Sequence, residues 1–134
     1  MIYAVFDTNV IVSALLSRNP DAATVKVFEA LMQKRIIPLL NEEIVNEYVT
    51  VLHRSKFKLP LHLVSAVISS IEQHGIKLQR AYSTEHFPDP KDAVFYEIAL
   101  SKDGSYLITG NTKHFPKSPI VVTPAEMLAI LNNK

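Results

Sequence analysis

Two acidic residues stand in stretches of the sequence that are otherwise apolar. Asp7 directly follows the apolar run IYAVF, and Glu47 shares one face of a predicted helix with Ile44 and Val51. A carboxylate in such surroundings is costly unless it is hydrogen-bonded, paired or bound to a metal. Two interpretations stay open at this point. Asp7 either caps the following helix or bears a function, and Glu47 either reaches solvent from a helix edge or faces a charged partner.

A third acid and an amide occupy comparable positions later in the chain. Asp92 precedes apolar residues at i+3, i+4 and i+7, which places it on their buried face, although an acid in a first helical turn also favours the helix dipole. Asp89 is interpreted as the N-cap before Pro90. Asn111 follows the apolar run YLI and a Thr-Gly pair, where it serves either as a turn residue or as a polar group at a strand end.

The elements around these residues alternate between strands and helices. We predict strands at residues 2–6 and in RIIPLL, IKLQ, SYLITGN and SPIVVTP, and these segments are almost wholly apolar. Apolar strands that alternate with helices are typical of a parallel sheet covered on both faces, a three-layer α/β/α fold. Sites in such folds form at the carboxyl ends of the strands. We therefore expect Asp7, Glu47, Asp92 and Asn111 to converge at one edge of the sheet.

Capping residues predict where the helices begin and end. Glu42 and Glu43 are interpreted as ordinary first-turn acids of the helix that carries Glu47. The N-caps are assigned to Asp21, Asn41, Asp89 with Pro90, and Thr123 with Pro124, and the helix ends to Gly75 and Gly104.

Carboxylates that cluster without basic partners must protonate or bind a cation. Oxygen ligands favour Mg²⁺ or Mn²⁺, and Mg²⁺ commonly uses one or two carboxylates together with water and substrate phosphate oxygens. Such an ion activates water and neutralises charge at phosphorus. The predicted chemistry is therefore phosphodiester hydrolysis.

Composition limits the alternatives. The 134 residues suit one domain, 1–134, and 48% hydrophobic residues with a mean hydropathy of +0.13 suggest an additional buried face in an oligomer or a complex. The absence of cysteine excludes disulfides and thiolate zinc sites, and the five histidines show no helical pairing. The sequence has no run typical of a membrane span or a signal peptide, so we expect a cytoplasmic protein.

The sequence resembles the PIN-domain nucleases. The resemblance rests on VFDTNVIVSALL, EIVNEYVTVLHR, DPKDAVFYEIALS and YLITGN in this order, and DPKD with TGN and HFP is most similar to bacterial VapC-like toxins of toxin-antitoxin pairs. It implies a parallel sheet of about five strands, a metal-dependent ribonuclease that leaves a 5′-phosphate and a 3′-hydroxyl, and a cytoplasmic homodimer inhibited by an antitoxin protein.

The resemblance also assigns roles to residues. Asp7, Glu47 and Asp92 fall on the family's metal-binding acids, and Asn111 stands where many members have a fourth acid, so that one Mg²⁺ or Mn²⁺ ion is expected to bind well. Asn111 would orient a ligand or a water. The residues expected to orient the carboxylates, or simply to satisfy turn backbones, are Thr8, Asn9 and Thr109.

Two basic segments are candidates for RNA contact. One surrounds Phe57 and the other follows Asn111; the residues are Arg54, Lys56, Lys58, Lys113 and His114. A solvated helix end explains the first segment equally well, and packing of the histidine under Phe115 explains the second.

Three other functions are alternatives to ribonuclease activity. A phosphatase of the haloacid dehalogenase type needs a second Asp two residues after the first, where this chain has Asn9, and a response-regulator receiver needs an acidic pair that FDTN lacks. The third is a non-catalytic module for RNA or protein binding on a degenerate PIN fold, to which Asn111 gives some weight.

Overall fold

The computed structural model describes residues 1–133, and five strands among them form one all-parallel sheet. The order across the sheet is β3-β2-β1-β4-β5, so the first strand of the chain is the central one. The strands are β1 (Ile2–Phe6), β2 (Ile36–Leu40), β3 (Ile76–Lys77), β4 (Tyr106–Ile108) and β5 (Val121–Val122). The predicted fold class, an α/β protein with a parallel sheet of about five strands, is confirmed.

The central strands are long and buried, whereas the edge strands are short. In β1 only Tyr3 is partly exposed, and Phe6 at its end pairs with Ile108 of β4. Residue Ile2 pairs with Ile36 at the start of β2. Because all the strands point the same way, the residues that follow β1, β2 and β4 leave the sheet at one edge.

Six α-helices in the described part of the chain flank the sheet. They are α1 (Thr8–Leu16), α2 (Ala23–Met32), α3 (Glu42–Leu52), α4 (Leu61–His74), α5 (Ala93–Leu100) and α6 (Pro124–Asn132). Helix α5 packs on β1, β2 and β4, while α3 contacts both α4 and α5. Three short 3₁₀ turns complete the described structure, at Ser55–Phe57, Pro90–Asp92 and Thr112–His114. No described helix is both long and apolar enough to cross a bilayer.

Two of the predicted N-caps are confirmed by side-chain hydrogen bonds. Asn41 accepts from the backbone N–H of Ile44, and Thr123 forms a capping box with Glu126. Asp21, in contrast, was a wrong assignment, because α2 begins at Ala23 with Ala22 in the N-cap position. An earlier turn decides this: the side chain of Asn19 accepts from the N–H of Asp21, so the chain is already folded back before the helix starts.

The helix predicted between Asp89 and Gly104 is shorter than its signals suggest. Asp89 does accept a hydrogen bond from the N–H of Lys91, but it caps the 3₁₀ turn Pro90–Asp92, and regular α-helix starts only at Ala93. The helix ends at Leu100, and Gly104 lies in the turn before β4 with φ of 78°, a left-handed conformation that suits glycine. Asp92 consequently lies at the junction between turn and helix.

Gly75 ends α4 as predicted, although for a reason of space rather than of conformation. Its φ of −85° is open to any residue. A Cβ at this position would lie 2.6 Å from Leu40 Cδ1 and 2.7 Å from the carbonyl oxygen of Ile71. Glycine thus lets α4 turn closely against β2 before β3 begins.

Candidate active site

Asp7 is buried at the carboxyl end of the central strand. Its side chain is only 7% exposed, and its backbone N–H donates to the carbonyl oxygen of Ile108 on β4 at 2.9 Å. The hydroxyl of Thr109, the residue after β4, donates to Asp7 Oδ2 at 2.8 Å. The adjacency of β1 and β4 therefore brings together two predicted site residues that are 102 positions apart.

The N-cap interpretation of Asp7 is only half realised. Asp7 occupies the N-cap position of α1, yet its side chain makes no capping hydrogen bond. The next residue, Thr8, has a buried hydroxyl that finds no hydrogen-bond partner within residues 1–133, whereas Asn9 is exposed. An unpartnered buried hydroxyl beside a buried carboxylate favours a bound water or ion at this point.

Glu47 lies on α3, which the next residue, Tyr48, ties to the end of β1. The Tyr48 hydroxyl donates to the carbonyl oxygen of Phe6 at 2.5 Å, which ties α3 to the last residue of β1. Burial, and to a smaller extent the negative charges of Asp7 and Glu47, raise the pKa of Tyr48. Glu47 itself is half-buried and borders a small pocket of about 140 Å³ between α3 and α5.

Asp92 completes the set of acids from the start of α5. Its side chain is 19% exposed, and Oδ2 lies 3.6 Å from Nδ1 of His114. Burial raises the pKa of Asp92 to about 6, with further contributions from the negative charges of Asp7, Asp89 and Glu47, which outweigh the opposing influence of His114. Asp92 is therefore the acid that is influenced by the charges of both Asp7 and Glu47.

The pKa of Asp7 is raised as well, and burial is the main cause. The Thr109 hydroxyl, the N–H of Asn9 and the charge of His114 oppose this rise without cancelling it. No lysine or arginine pairs with Asp7 within residues 1–133. A divalent cation would supply the positive charge that both Asp7 and Asp92 lack.

Asn111 contributes through its backbone rather than through its amide. Its N–H donates to the Thr109 hydroxyl at 3.0 Å, which extends the chain of hydrogen bonds that starts at Asp7. Its side chain is exposed, and Nδ2 lies 3.1 Å from the ring nitrogen Nε2 of His114. The structure thus places the exposed Asn111 amide next to His114, whose ring lies beside Asp92.

The donor set fits a divalent cation in charge and in chemistry, although not as a closed cage. Within residues 1–133, no group of three or more Asp, Glu or His side chains is close enough to enclose a metal ion. Mg²⁺ does not require such a cage, because it commonly binds through one or two carboxylates and keeps several waters.

The two basic segments predicted to contact RNA lie in different places. Lys113 and His114 belong to the 3₁₀ turn directly after Asn111. Arg54, Lys56 and Lys58 instead follow the far end of α3, whose 11 residues extend about 16 Å from the strand ends. Lys56 Nζ lies 5.2 Å from the centre of the Phe57 ring, which packs on the core.

Sequence reasoning missed a second group of acids and its basic partner. Glu97 in α5 is 3% exposed and accepts hydrogen bonds from the Arg80 guanidinium, including Nε at 2.8 Å, and from the N–H of Ser83 at 2.7 Å. Arg80 also contacts Glu43 at 2.9 Å. The available signal was an acid inside the apolar run AVFYEIAL, but its partner lies 17 positions earlier in an irregular segment.

Comparison with known proteins supplies the family. A family model described as PIN domain matches residues 3–113, which include Asp7, Glu47, Asp92 and Asn111. No curated protein and no solved structure matches the chain. The family match spans most of the sequence and agrees with the all-parallel five-stranded sheet. The chain therefore belongs to the PIN-domain family.

Proposed function

We propose that the protein is a metal-dependent endoribonuclease that hydrolyses RNA phosphodiester bonds with Mg²⁺ or Mn²⁺. The observation that carries the proposal is a pair of acids at the strand ends, Asp7 and Asp92, with which no lysine or arginine pairs in residues 1–133. Burial first, and then the charges of Asp7, Asp89 and Glu47, raise the pKa of Asp92 to about 6. PIN domains are generally nucleases, which agrees with a cation-seeking carboxylate site at the strand ends. The choice of RNA follows the resemblance to VapC-like proteins.

The residues of the chain divide the work of the site. Asp7, Glu47 and Asp92 would hold the ion, directly or through water, and the bound ion would activate water and offset charge on the phosphate. Thr109 donates a hydrogen bond to Asp7 Oδ2 and thereby orients the carboxylate for a ligand. Tyr48 ties the end of β1 to α3, the helix that carries Glu47.

A non-catalytic module for RNA or protein binding is the second candidate function. Two observations favour it: the exposed Asn111 amide at a position where many PIN domains have an acid, and the absence of a closed three-ligand group in residues 1–133. The toxin role, the antitoxin partner, the homodimer and the cytoplasmic location stay predictions.

The deciding experiment measures cleavage of a 5′-labelled single-stranded RNA by purified protein in EDTA, Mg²⁺ or Mn²⁺, with a DNA of the same sequence beside it. We expect cleavage of RNA only with metal, leaving 5′-phosphate and 3′-hydroxyl ends. Asp7→Asn should lower the rate by more than about 100-fold, since even residues that only support metal ligands cost about 10- to 100-fold.

A matched control is Asp21→Asn, which also removes one carboxylate but at a side chain that is 85% exposed. It should leave the rate unchanged. If wild-type protein cleaves RNA no faster than Asp7→Asn across metals and substrates, ribonuclease activity is excluded. RNA binding without cleavage would then support the non-catalytic module.

A further inference from the structure

A groove of about 560 Å³ opens beside the carboxylate site on the β5 side of the sheet. It lies between the segment that follows Asn111 and the first turn of α6. Its lining includes Lys113, Phe115, Lys117, Ser118, Val121 and Glu126. Apart from Lys113, none of these residues was a candidate for RNA contact in the sequence.

The groove presents two lysines that have no acidic partner. Lys113 and Lys117 are exposed, and neither forms an ion pair within residues 1–133. The acid of the groove, Glu126, uses its carboxylate to accept the N–H of Thr123 at 2.8 Å in the capping box of α6. The lysine charges are therefore available to an anion from solution.

A groove of similar volume on the opposite side of the site, at β2 and β3, has a different electrostatic character. It is lined by Glu42, Glu43, Lys77 and Arg80, among others. Lys77 pairs with Glu42 at 2.7 Å, and Arg80 pairs with Glu43 at 2.9 Å. Because both of its cations are already neutralised, this groove offers a polyanion little attraction.

The basic groove and the carboxylate site share one short turn. The turn Thr112–His114 places His114 3.6 Å from Asp92 on one side and Lys113 in the groove on the other. The backbone N–H of Asn111, just before the turn, reaches Asp7 through the Thr109 hydroxyl. A strand whose phosphate lies at the acids would enter this groove next.

We propose that this groove binds the sugar-phosphate backbone of the RNA strand on one side of the cleaved bond, with Lys113 and Lys117 each contacting a phosphate; the proposal rests on the proposed ribonuclease function. The aromatic ring in the groove, Phe115, is buried and packs against Phe87, so it forms the floor and offers no stacking face to a base. Contacts of this kind position a strand without reading its sequence. The groove should therefore bind single strands of any sequence.

The test compares the double variant Lys113→Gln/Lys117→Gln with the charge-matched control Lys26→Gln/Arg35→Gln, whose residues line a separate groove between α2 and α6. Equilibrium binding of a fluorescent 12-nucleotide single-stranded RNA is measured for both in the Asp7→Asn background at several salt concentrations. Loss of two phosphate contacts should reduce the slope of log K against log salt by about 1.4, because each contact to a single strand contributes about 0.7. The control should keep the wild-type slope.

Cleavage kinetics of the same variants with Asp7 intact separate this proposal from the function on which it rests. We expect the Lys113/Lys117 variant to raise KM several-fold with little change in kcat, and all variants to keep the urea midpoint of wild type. If the variant cleaves RNA with unchanged KM and salt slope, the proposed binding of RNA in the groove is wrong, while the proposed ribonuclease function is retained. A reduced slope in a protein that never cleaves RNA would support the groove while excluding the nuclease.

A third variant, Arg54→Gln/Lys56→Gln, tests the rival route past the far end of α3. If this variant reduces the salt slope and the Lys113/Lys117 variant does not, the RNA strand leaves the site on the α3 side and the proposal is wrong.

Discussion

Asp7 and Glu97 are two carboxylates of nearly equal burial with opposite surroundings. Glu97, 3% exposed, accepts hydrogen bonds from the Arg80 guanidinium and from the N–H of Ser83. Asp7, 7% exposed, accepts one from the Thr109 hydroxyl and has no basic partner in residues 1–133. Burial alone therefore does not distinguish a structural acid from a functional one; the number and charge of its partners do.

The difference indicates what each acid contributes. Glu97 attaches the irregular segment that carries Arg80 and Ser83 to α5, so its pairing supports the fold. Asp7 keeps a raised pKa because burial disfavours its charge, and the Thr109 hydroxyl and the charge of His114 do not cancel that effect. Unfavourable charges of this kind persist where function requires them, and proteins commonly lose some stability at such sites.

The largest stability effect is expected from breaking the compensated pair. Glu97→Gln removes the buried charge but leaves the Arg80 guanidinium in place, and breaking a buried pair from one side costs about 3 kcal/mol or more. We expect a loss of about 3 kcal/mol in the free energy of unfolding, measured by urea denaturation at pH 7.5. Cleavage per folded molecule should change little.

Glu43→Gln is the matched control, because Glu43 pairs with the same arginine from a side chain that is 56% exposed. Exposed pairs contribute at most about 1 kcal/mol. Equal losses in the two variants would contradict the distinction between Glu97 and the exposed acid.

The second prediction adds the missing charge to Asp7. Mn²⁺ or Mg²⁺ at 100 times its dissociation constant should stabilise the protein by about 2.7 kcal/mol, a rise in Tm of roughly 5 to 10 °C for a chain of this size. Asp7→Asn should abolish the rise in a thermal melt with and without metal, while Glu43→Gln should keep it. An identical rise in Asp7→Asn would place the ion elsewhere.

The third prediction concerns the pH dependence of the metal-free protein. Asp92 has a pKa of about 6 in the folded state against 3.8 in the unfolded chain. Between these values the folded protein holds a proton that the unfolded chain has released, so the free energy of unfolding should fall as pH rises from about 4 to about 6 and then level off. The expected contribution is roughly 1 to 3 kcal/mol.

Other acidic groups also contribute to the pH dependence of stability. The measurement is therefore the difference between wild type and Asp92→Asn across pH 4 to 8 in EDTA. We expect the free energy of unfolding of Asp92→Asn to increase relative to that of wild type as the pH rises from about 4 to about 6. A flat difference would mean that the pKa of Asp92 is not raised in the folded protein.

Short-range signals in the sequence predicted the fold and much of the candidate site. The apolar runs and the caps Asn41 and Thr123 act within a few residues, and the rule for strand ends then located Asp7 and Thr109 correctly at one edge of the sheet. Asp21 failed as an N-cap because the neighbouring Asn19 turn competed for the same backbone. Even a short-range signal is unreliable where two polar side chains compete.

Long-range pairing was the part that sequence could not supply. Nothing near Glu97 in the chain indicates that Arg80 folds back to it from an irregular segment. The same arginine also pairs with Glu43, which the sequence suggested was an ordinary first-turn acid. The pairing of Arg80 with Glu97 and Glu43 gives Glu97 a structural role. It also neutralises a cation in one of the two grooves. Such facts depend on three-dimensional neighbours and not on spacing along the chain.

The smallest expected effect is that of Tyr48→Phe, which tests how α3 is held against β1. Tyr48→Phe removes the hydroxyl that donates to the carbonyl oxygen of Phe6, at a cost of about 1 kcal/mol in the free energy of unfolding. Tyr82→Phe, at a residue that is 81% exposed, is the matched control and should cost under about 0.5 kcal/mol. If the hydroxyl also positions Glu47 relative to Asp7, Tyr48→Phe should weaken Mn²⁺ binding by about 10-fold, as loss of a supporting residue commonly does. A loss of stability with unchanged Mn²⁺ affinity would mean that Tyr48, like Glu97, supports the fold and not the metal site.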